Sequence, residues 1–128
     1  MTKPLSRREG LLLFWCEGDK PRYNLRKIQV TNSDPLILKH FVRWLSSYYG
    51  VERSEMKLRL HLWEGSDELR AKKFWSKRLA IPVSNFTKTW FKANGGKNTH
   101  PNGICRVSVS SKALMERIGS ELNSELQS

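Results

Sequence analysis

The sequence predicts an α+β fold in which helices pack on one face of a mixed or antiparallel sheet. Three observations lead there. Lys57–Trp63 and Ile104–Val109 alternate apolar and polar residues with the period of a half-buried strand. Helix starts precede several stretches whose apolar residues recur at helical spacing. Helical and strand segments are interleaved along the chain, the order expected of one mixed layer pair. At 128 residues the chain suits a single domain spanning residues 1–128.

The first helix is expected to begin near Pro4–Ser6 and to end at Gly18. Its centre, Leu11-Leu12-Leu13-Phe14-Trp15-Cys16, is apolar all round. Such a helix needs cover on more than one side, and a second copy of the chain could supply part of it. A short strand follows at Arg26–Thr31, with Ile28 and Val30 on one face and Lys27, Gln29 and Thr31 on the other. Asn32-Ser33-Asp34-Pro35 then opens a second helix, with Asp as the cap and Pro at the first helical position. Leu38, Phe41, Val42, Leu45 and Tyr49 form its apolar stripe, and Gly50 suits its end.

In Lys57–Trp63, Leu58, Leu60 and Leu62 make one face; Lys57, Arg59, His61 and Trp63 make the other. A third helix is expected from a Ser66 cap to about Leu79, stopped by Pro82. Phe86–Lys92 is read as a strand and Asn94–Asn102 as a loop. In Ile104–Val109, Cys105, Val107 and Val109 turn inward and Arg106 and Ser108 outward. Ser110 or Ser111 caps a last helix that carries Leu114, Met115, Ile118 and Leu122.

Charge is the strongest functional signal. Twenty-three Lys and Arg stand against twelve Asp and Glu, for a net charge of +11. A field of that sign attracts phosphate backbones or anionic lipid. No acidic residue lies between Glu68 and Glu116, a stretch that holds Lys88, Lys92 and Arg106 among its cations and Phe74, Trp75, Trp90 and Phe91 among its aromatics. These aromatics read as core residues rather than base-stacking platforms; the second role would make single strands or RNA the substrate. The outward side chains Lys27, Gln29, Arg59, His61 and Arg106, with Lys88 and Lys92, are the types that contact phosphates and base edges of a duplex. The same alternation also fits an ordinary solvated sheet face.

Cys16 and Cys105 make neither a disulfide framework nor a zinc site, and both read as small core residues. The polar start and the six-residue apolar run Leu11–Cys16 suit neither a signal peptide nor a membrane span, so an intracellular protein is expected, with no membrane partner. Gly95-Gly96-Lys97 lacks the spacing of a phosphate loop, and His40, His61 and His100 are scattered.

Leu11-Leu12-Leu13-Phe14-Trp15-Cys16-Glu17-Gly18-Asp19 resembles a degenerate LAGLIDADG motif, an apolar helix ending in an acidic residue and a glycine and followed by a strand. Ile28–Pro35 is similar to that family's strand and turn into its second helix, and Cys105–Leu114 to its closing strand and helix. Leu12 and Leu13 are bulkier than the motif's small residues, Trp15 stands at an acidic position, and residues 66–102 form an insertion with a basic helix and strand. The resemblance implies a homing-endonuclease-like saddle on duplex DNA, built by a homodimer that packs through the first helix. It implies Glu17 as the catalytic carboxylate and a ligand to Mg²⁺, with the Gly18 carbonyl as a further ligand and phosphodiester hydrolysis as the reaction. The family pattern extends to regulators that bind DNA without cutting it, which is the alternative reading; an RNA-binding helper is a third.

Overall fold

The computed structural model describes residues 3–19, 26–93 and 100–127. Four helices lie at Arg7–Glu17 (α1), Pro35–Tyr49 (α2), Glu68–Leu79 (α3) and Lys112–Gln127 (α4), and four strands at Lys27–Asn32 (β1), Met56–Trp63 (β2), Trp90–Lys92 (β3) and Ile104–Ser110 (β4). None of the helices is long and apolar enough to cross a membrane, among the described residues.

Local chemistry sets the helix ends. Ser6 and Glu9 form a reciprocal capping box at α1: the Glu9 amide donates to Ser6 Oγ at 3.1 Å and the Ser6 amide to Glu9 Oε1 at 2.9 Å. Asp34 accepts from the Leu36 amide and Pro35 opens α2, while Gly50 closes it at φ 64°. At α3 the cap is Asp67 rather than the expected Ser66, because the Asp67 carboxylate accepts from the Arg70 amide at 3.1 Å. Ser111 holds the Leu114 amide at the start of α4.

The sheet is mixed and runs in the order β1-β4-β2-β3. β4 is central, antiparallel to β1 (Lys27 opposite Ser110) and to β2 (Met56 opposite Val109). β3 pairs parallel to the other edge of β2, His61 opposite Trp90. The strand expected over Phe86–Lys92 is therefore shorter. Phe86 makes a single bridge to Leu58, and the Thr87 amide donates to the Leu58 carbonyl at 2.7 Å before the chain pairs again at Trp90. A one-turn 3₁₀ helix at Val83–Asn85 precedes this segment. Asn85 Nδ2 donates to the carbonyls of Arg53 and Met56, both at 2.9 Å, which ties the turn to the start of β2. The loop expected at Asn94–Asn102 lies largely outside the described residues.

One face of the sheet is apolar. Ile28, Val30, Met56, Leu58, Leu60, Leu62, Cys105, Val107 and Val109 are buried beneath the helices, with Leu38, Phe41, Trp44 and Leu45 of α2 at the centre of the core. α3 places Ala71, Trp75 and Leu79 in the same core, and Trp75 Nε1 donates to the Asn102 carbonyl at 2.8 Å. All four helices thus occupy one side, and the second sheet face is left open.

α1 is covered only in part. Leu11 and Phe14 are buried and Gly10 lies directly under the Trp44 indole, but Trp15 and Cys16 are exposed. The expectation that Cys16 is a core residue is corrected: it lies on the flank of α1 that turns away from the sheet, while Cys105, on the inner face of β4, is buried. Trp90 and Phe91 likewise lie outside the core, 64% and 45% exposed on an edge strand; Trp75 is buried as expected and Phe74 packs against it. α4 is clamped to α1 and α2 through Glu121, which accepts from Tyr49 Oη at 2.6 Å and Arg117 Nε at 3.1 Å, and through Glu125, which pairs with Arg7 at 2.6 Å.

A Cβ at Gly10 overlaps the Trp44 indole, which is itself fully buried. Gly10→Ala is therefore expected to lower stability by about 1–3 kcal/mol despite alanine's better helix propensity. Urea denaturation followed by tryptophan fluorescence measures it; an unchanged midpoint would contradict the close α1–α2 packing.

Candidate nucleic-acid interface

The strand registers arrange the open face into rows. Gln29, Ser108 and Lys57 make one; Thr31, Arg106 and Arg59 the next. Ile104, His61 and Trp90 follow, and Trp63 pairs with Lys92 beyond them. Side chains that face each other across a ladder lie on the same side of the sheet, so these rows share one surface. No acidic residue is found in any of them. Lys27, Lys57, Arg59 and Arg106 converge on one shallow concavity of about 140 Å³, whose remaining wall includes Gln29, Thr87, Ser108 and Ser110.

Arg59 and Arg106 stand directly opposite each other. Their Nε atoms are steadied by hydroxyls, Arg59 by Thr87 Oγ1 and Arg106 by Thr31 Oγ1, each at 3.3 Å. No ion pair among the described residues involves Lys57, Arg59 or Arg106. Like charges facing each other across a ladder are destabilising. An anion seated between two guanidinium groups removes that repulsion and uses their fork geometry.

The other residues singled out from the sequence are placed unevenly. Lys27 lies at the exposed start of β1 on this surface. Gln29 shares the face but is only 8% exposed, and its amide donates to the Asp19 carboxylate. Lys92 lies beside Trp63, its ammonium 5.7 Å from the ring centroid. Lys88 is exposed in the link before β3, outside the paired rows.

His61 sits between the arginines and the aromatic end of the face. Its ring meets Trp90 edge to face at 5.6 Å, and its Nε2 is buried with no hydrogen-bond partner among the described residues. Burial lowers its pKa below 6.5, and Arg106, Arg59 and Lys92 push it in the same direction. Sequence reasoning missed Thr87 and Trp90 as members of this surface, and it put Lys57 on the outward face without naming it as a contact. Lys57 and Trp63 carried the signal in their alternation with Leu58, Leu60 and Leu62; Trp90 carried none, because its exposure depends on the parallel pairing of β3.

Glu17 and Gly18 lie at the opposite edge. Glu17 is exposed at the last turn of α1 and accepts from Asn32 Nδ2 at 3.1 Å. The Gly18 amide donates to the Phe14 carbonyl at 2.7 Å, Gly18 bridges Val30, and the Asp19 amide donates to the Gln29 carbonyl at 3.0 Å. The motif-like segment thus adds a short edge beside β1. A Cβ at Gly18 would overlap the Phe14 ring, so the residue must be small. Among the described residues, no three His, Cys, Asp or Glu side chains cluster as a metal site. Next to Glu17, Leu12, Leu13, Cys16, Leu36 and Ile37 line an apolar groove of about 530 Å³ between α1 and α2.

Because the folded-state pKa of His61 is depressed, its stabilising contribution is complete above the unfolded value near 6.5 and is lost as pH falls below it. An NMR titration of the imidazole is expected to show a midpoint below 6.5. His61→Gln is expected to flatten the stability decline that begins there; a midpoint at or above 6.5 would remove the electrostatic account of the face. Comparison of the chain with protein-family models, with curated proteins and with solved structures returned no match.

Proposed function

We propose that the protein binds duplex DNA through the open sheet face, as a homodimer whose two sheets form a saddle. The observation that carries this reading is the concavity lined by Lys27, Lys57, Arg59 and Arg106, with two guanidinium groups opposed and no carboxylate in their rows. A phosphate backbone supplies countercharge to Lys57, Arg59 and Arg106, and the net charge of +11 draws it in. Ser108, Ser110 and Thr87 add hydroxyls to the same wall, suited to further phosphate contacts. The apolar groove beside Leu12, Leu13 and Cys16 supports the dimer, since a two-fold contact there would cover the flank of α1 that the chain leaves open.

A second reading adds phosphodiester hydrolysis at Glu17. It is favoured by the exposure of this carboxylate at the end of α1, next to the groove where a second copy would bring its own Glu17. One carboxylate from each copy, with the Gly18 carbonyl, water and substrate phosphate, is a donor set of the kind that holds Mg²⁺. Such an ion neutralises charge that develops on the phosphate and activates water. Without it, the same surface serves a DNA-binding regulator that does not cut.

Binding is expected to be strongly salt-dependent. If a dimer neutralises about eight phosphates, log affinity falls with log salt at a slope of about −7. Arg106→Gln is expected to weaken duplex binding about tenfold or more and to reduce the slope by about 2 per dimer. Its melting temperature should stay level or rise, because a like-charge pair is relieved. Fluorescence anisotropy across a salt series measures both; a flat salt response would overturn the proposal. Hydrolysis is checked separately: Mg²⁺-dependent cutting of a randomised duplex library that disappears in Glu17→Ala establishes the nuclease. Binding without cutting by wild type identifies the regulator.

A further inference from the structure

We propose that the far end of the sheet face, at Trp90 and Trp63, is a stacking site for an unpaired nucleobase, so that the protein prefers a duplex carrying a short single-stranded overhang to a blunt one. The inference rests on the duplex-binding reading and adds to it the form of DNA end that the face accepts.

Trp90 is the most exposed large hydrophobic residue named on this surface, at 64%. It stands on the same face as Arg59, one strand across and two residues along, which is about 5 Å and about 7 Å away in an ordinary sheet. Its orientation is set by the edge-to-face contact with His61 at 5.6 Å. Trp63 lies two residues beyond His61 on the same strand face, with the Lys92 ammonium 5.7 Å from its ring centroid. Beside Trp63, a hollow of about 90 Å³ is lined by His61, Lys92, His100, Gly103 and Ile104. Gly103, at φ 72°, holds the incoming chain against β2, and a Cβ there would meet the Leu62 side chain and the His61 carbonyl.

This end differs chemically from the cationic concavity beside it. Its groups are the Trp90 and Trp63 indoles, the His61 and His100 imidazoles and the Lys92 ammonium, and it continues the rows of the cationic face without interruption. A strand tracked by Arg59 and Arg106 would therefore reach the indoles next. Paired bases inside a duplex cannot use such a platform, because neighbouring bases already cover both of their π-faces. An unpaired base has a free face, and stacking on an aromatic side chain stabilises it without regard to sequence. Charge complementarity to the adjoining backbone favours a nucleic-acid strand over an apolar protein segment as the occupant.

The test uses the full chain with three labelled DNAs: a blunt duplex, the same duplex with a two-nucleotide overhang, and the overhang strand alone. Anisotropy at fixed salt should show the overhang duplex bound about 5- to 150-fold more tightly than the blunt one. Trp90→Ala should bring the two duplexes to within twofold of each other, and Trp90→Phe should retain most of the preference. Overhang binding should also quench tryptophan fluorescence in wild type more than in Trp90→Ala. Equal, salt-sensitive binding of blunt and overhang duplexes by wild type overturns the stacking site and leaves the duplex reading standing. A preference that survives Trp90→Ala overturns its assignment to this end. Absence of salt-sensitive binding to the blunt duplex instead removes the duplex reading itself, and tighter binding of a matching RNA overhang overturns the choice of DNA.

Discussion

Strand β4 is hydrogen-bonded on both sides, to β1 and to β2, and its two-residue alternation fixes what each face of the sheet presents. Cys105, Val107 and Val109 must enter the core under the helices. Arg106 and Ser108 are then forced outward, between Thr31 and Arg59 in one row and Gln29 and Lys57 in the next. A slip of one residue would bury Arg106 among leucines, at a cost that no nearby carboxylate offsets. The cationic concavity is in this sense a by-product of a register that the apolar core enforces.

The same face carries an unresolved electrostatic conflict. Arg59 and Arg106 face each other, and their neighbours are Lys57, Lys27 and a His61 held below its ordinary pKa. A fold under selection for stability alone would place a carboxylate in one of these rows, as α4 does where Glu121 lies among Tyr49, Arg117 and Arg7. There, burial raises the Glu121 pKa, but the hydrogen bonds from Tyr49 and Arg117 outweigh it and the net shift is downward. The contrast is between a region where each carboxylate meets cations and rows in which Arg59 faces Arg106 with no acidic residue in register.

Elements whose ends are set by short-range chemistry were legible in the sequence. The Asp34-Pro35 start and Gly50 end of α2, the alternation of Lys57–Trp63 and the inward set Cys105, Val107 and Val109 all depend on neighbours within a few residues. What escaped depends on long-range pairing. Trp90 and Phe91 looked like core because an aromatic run in a basic segment fits an amphipathic strand; parallel addition to the edge of β2 leaves them exposed. Cys16 looked buried because α1 is apolar all round, and the helix is covered on only one side within the chain. Gln29 was legible as outward-facing, but its bond to Asp19 was not, since that bond needs the segment after α1 to lie beside β1.

The central position of β4 also governs when the sheet can form. β1 precedes β2 and β3 along the chain, yet its ladder partner, from Ile104 to Ser110, follows both. Until β4 pairs, β1 and one edge of β2 carry unsatisfied backbone groups, and only the β2–α3–β3 unit has its strand partner available. Loop-closure entropy makes such a late, non-local insertion slow, and the waiting edges are open to pairing with other chains. The sheet closes only when β4 inserts, and Lys27 and Lys57 on the waiting strands act as gatekeepers whose repulsion disfavours premature edge-to-edge association.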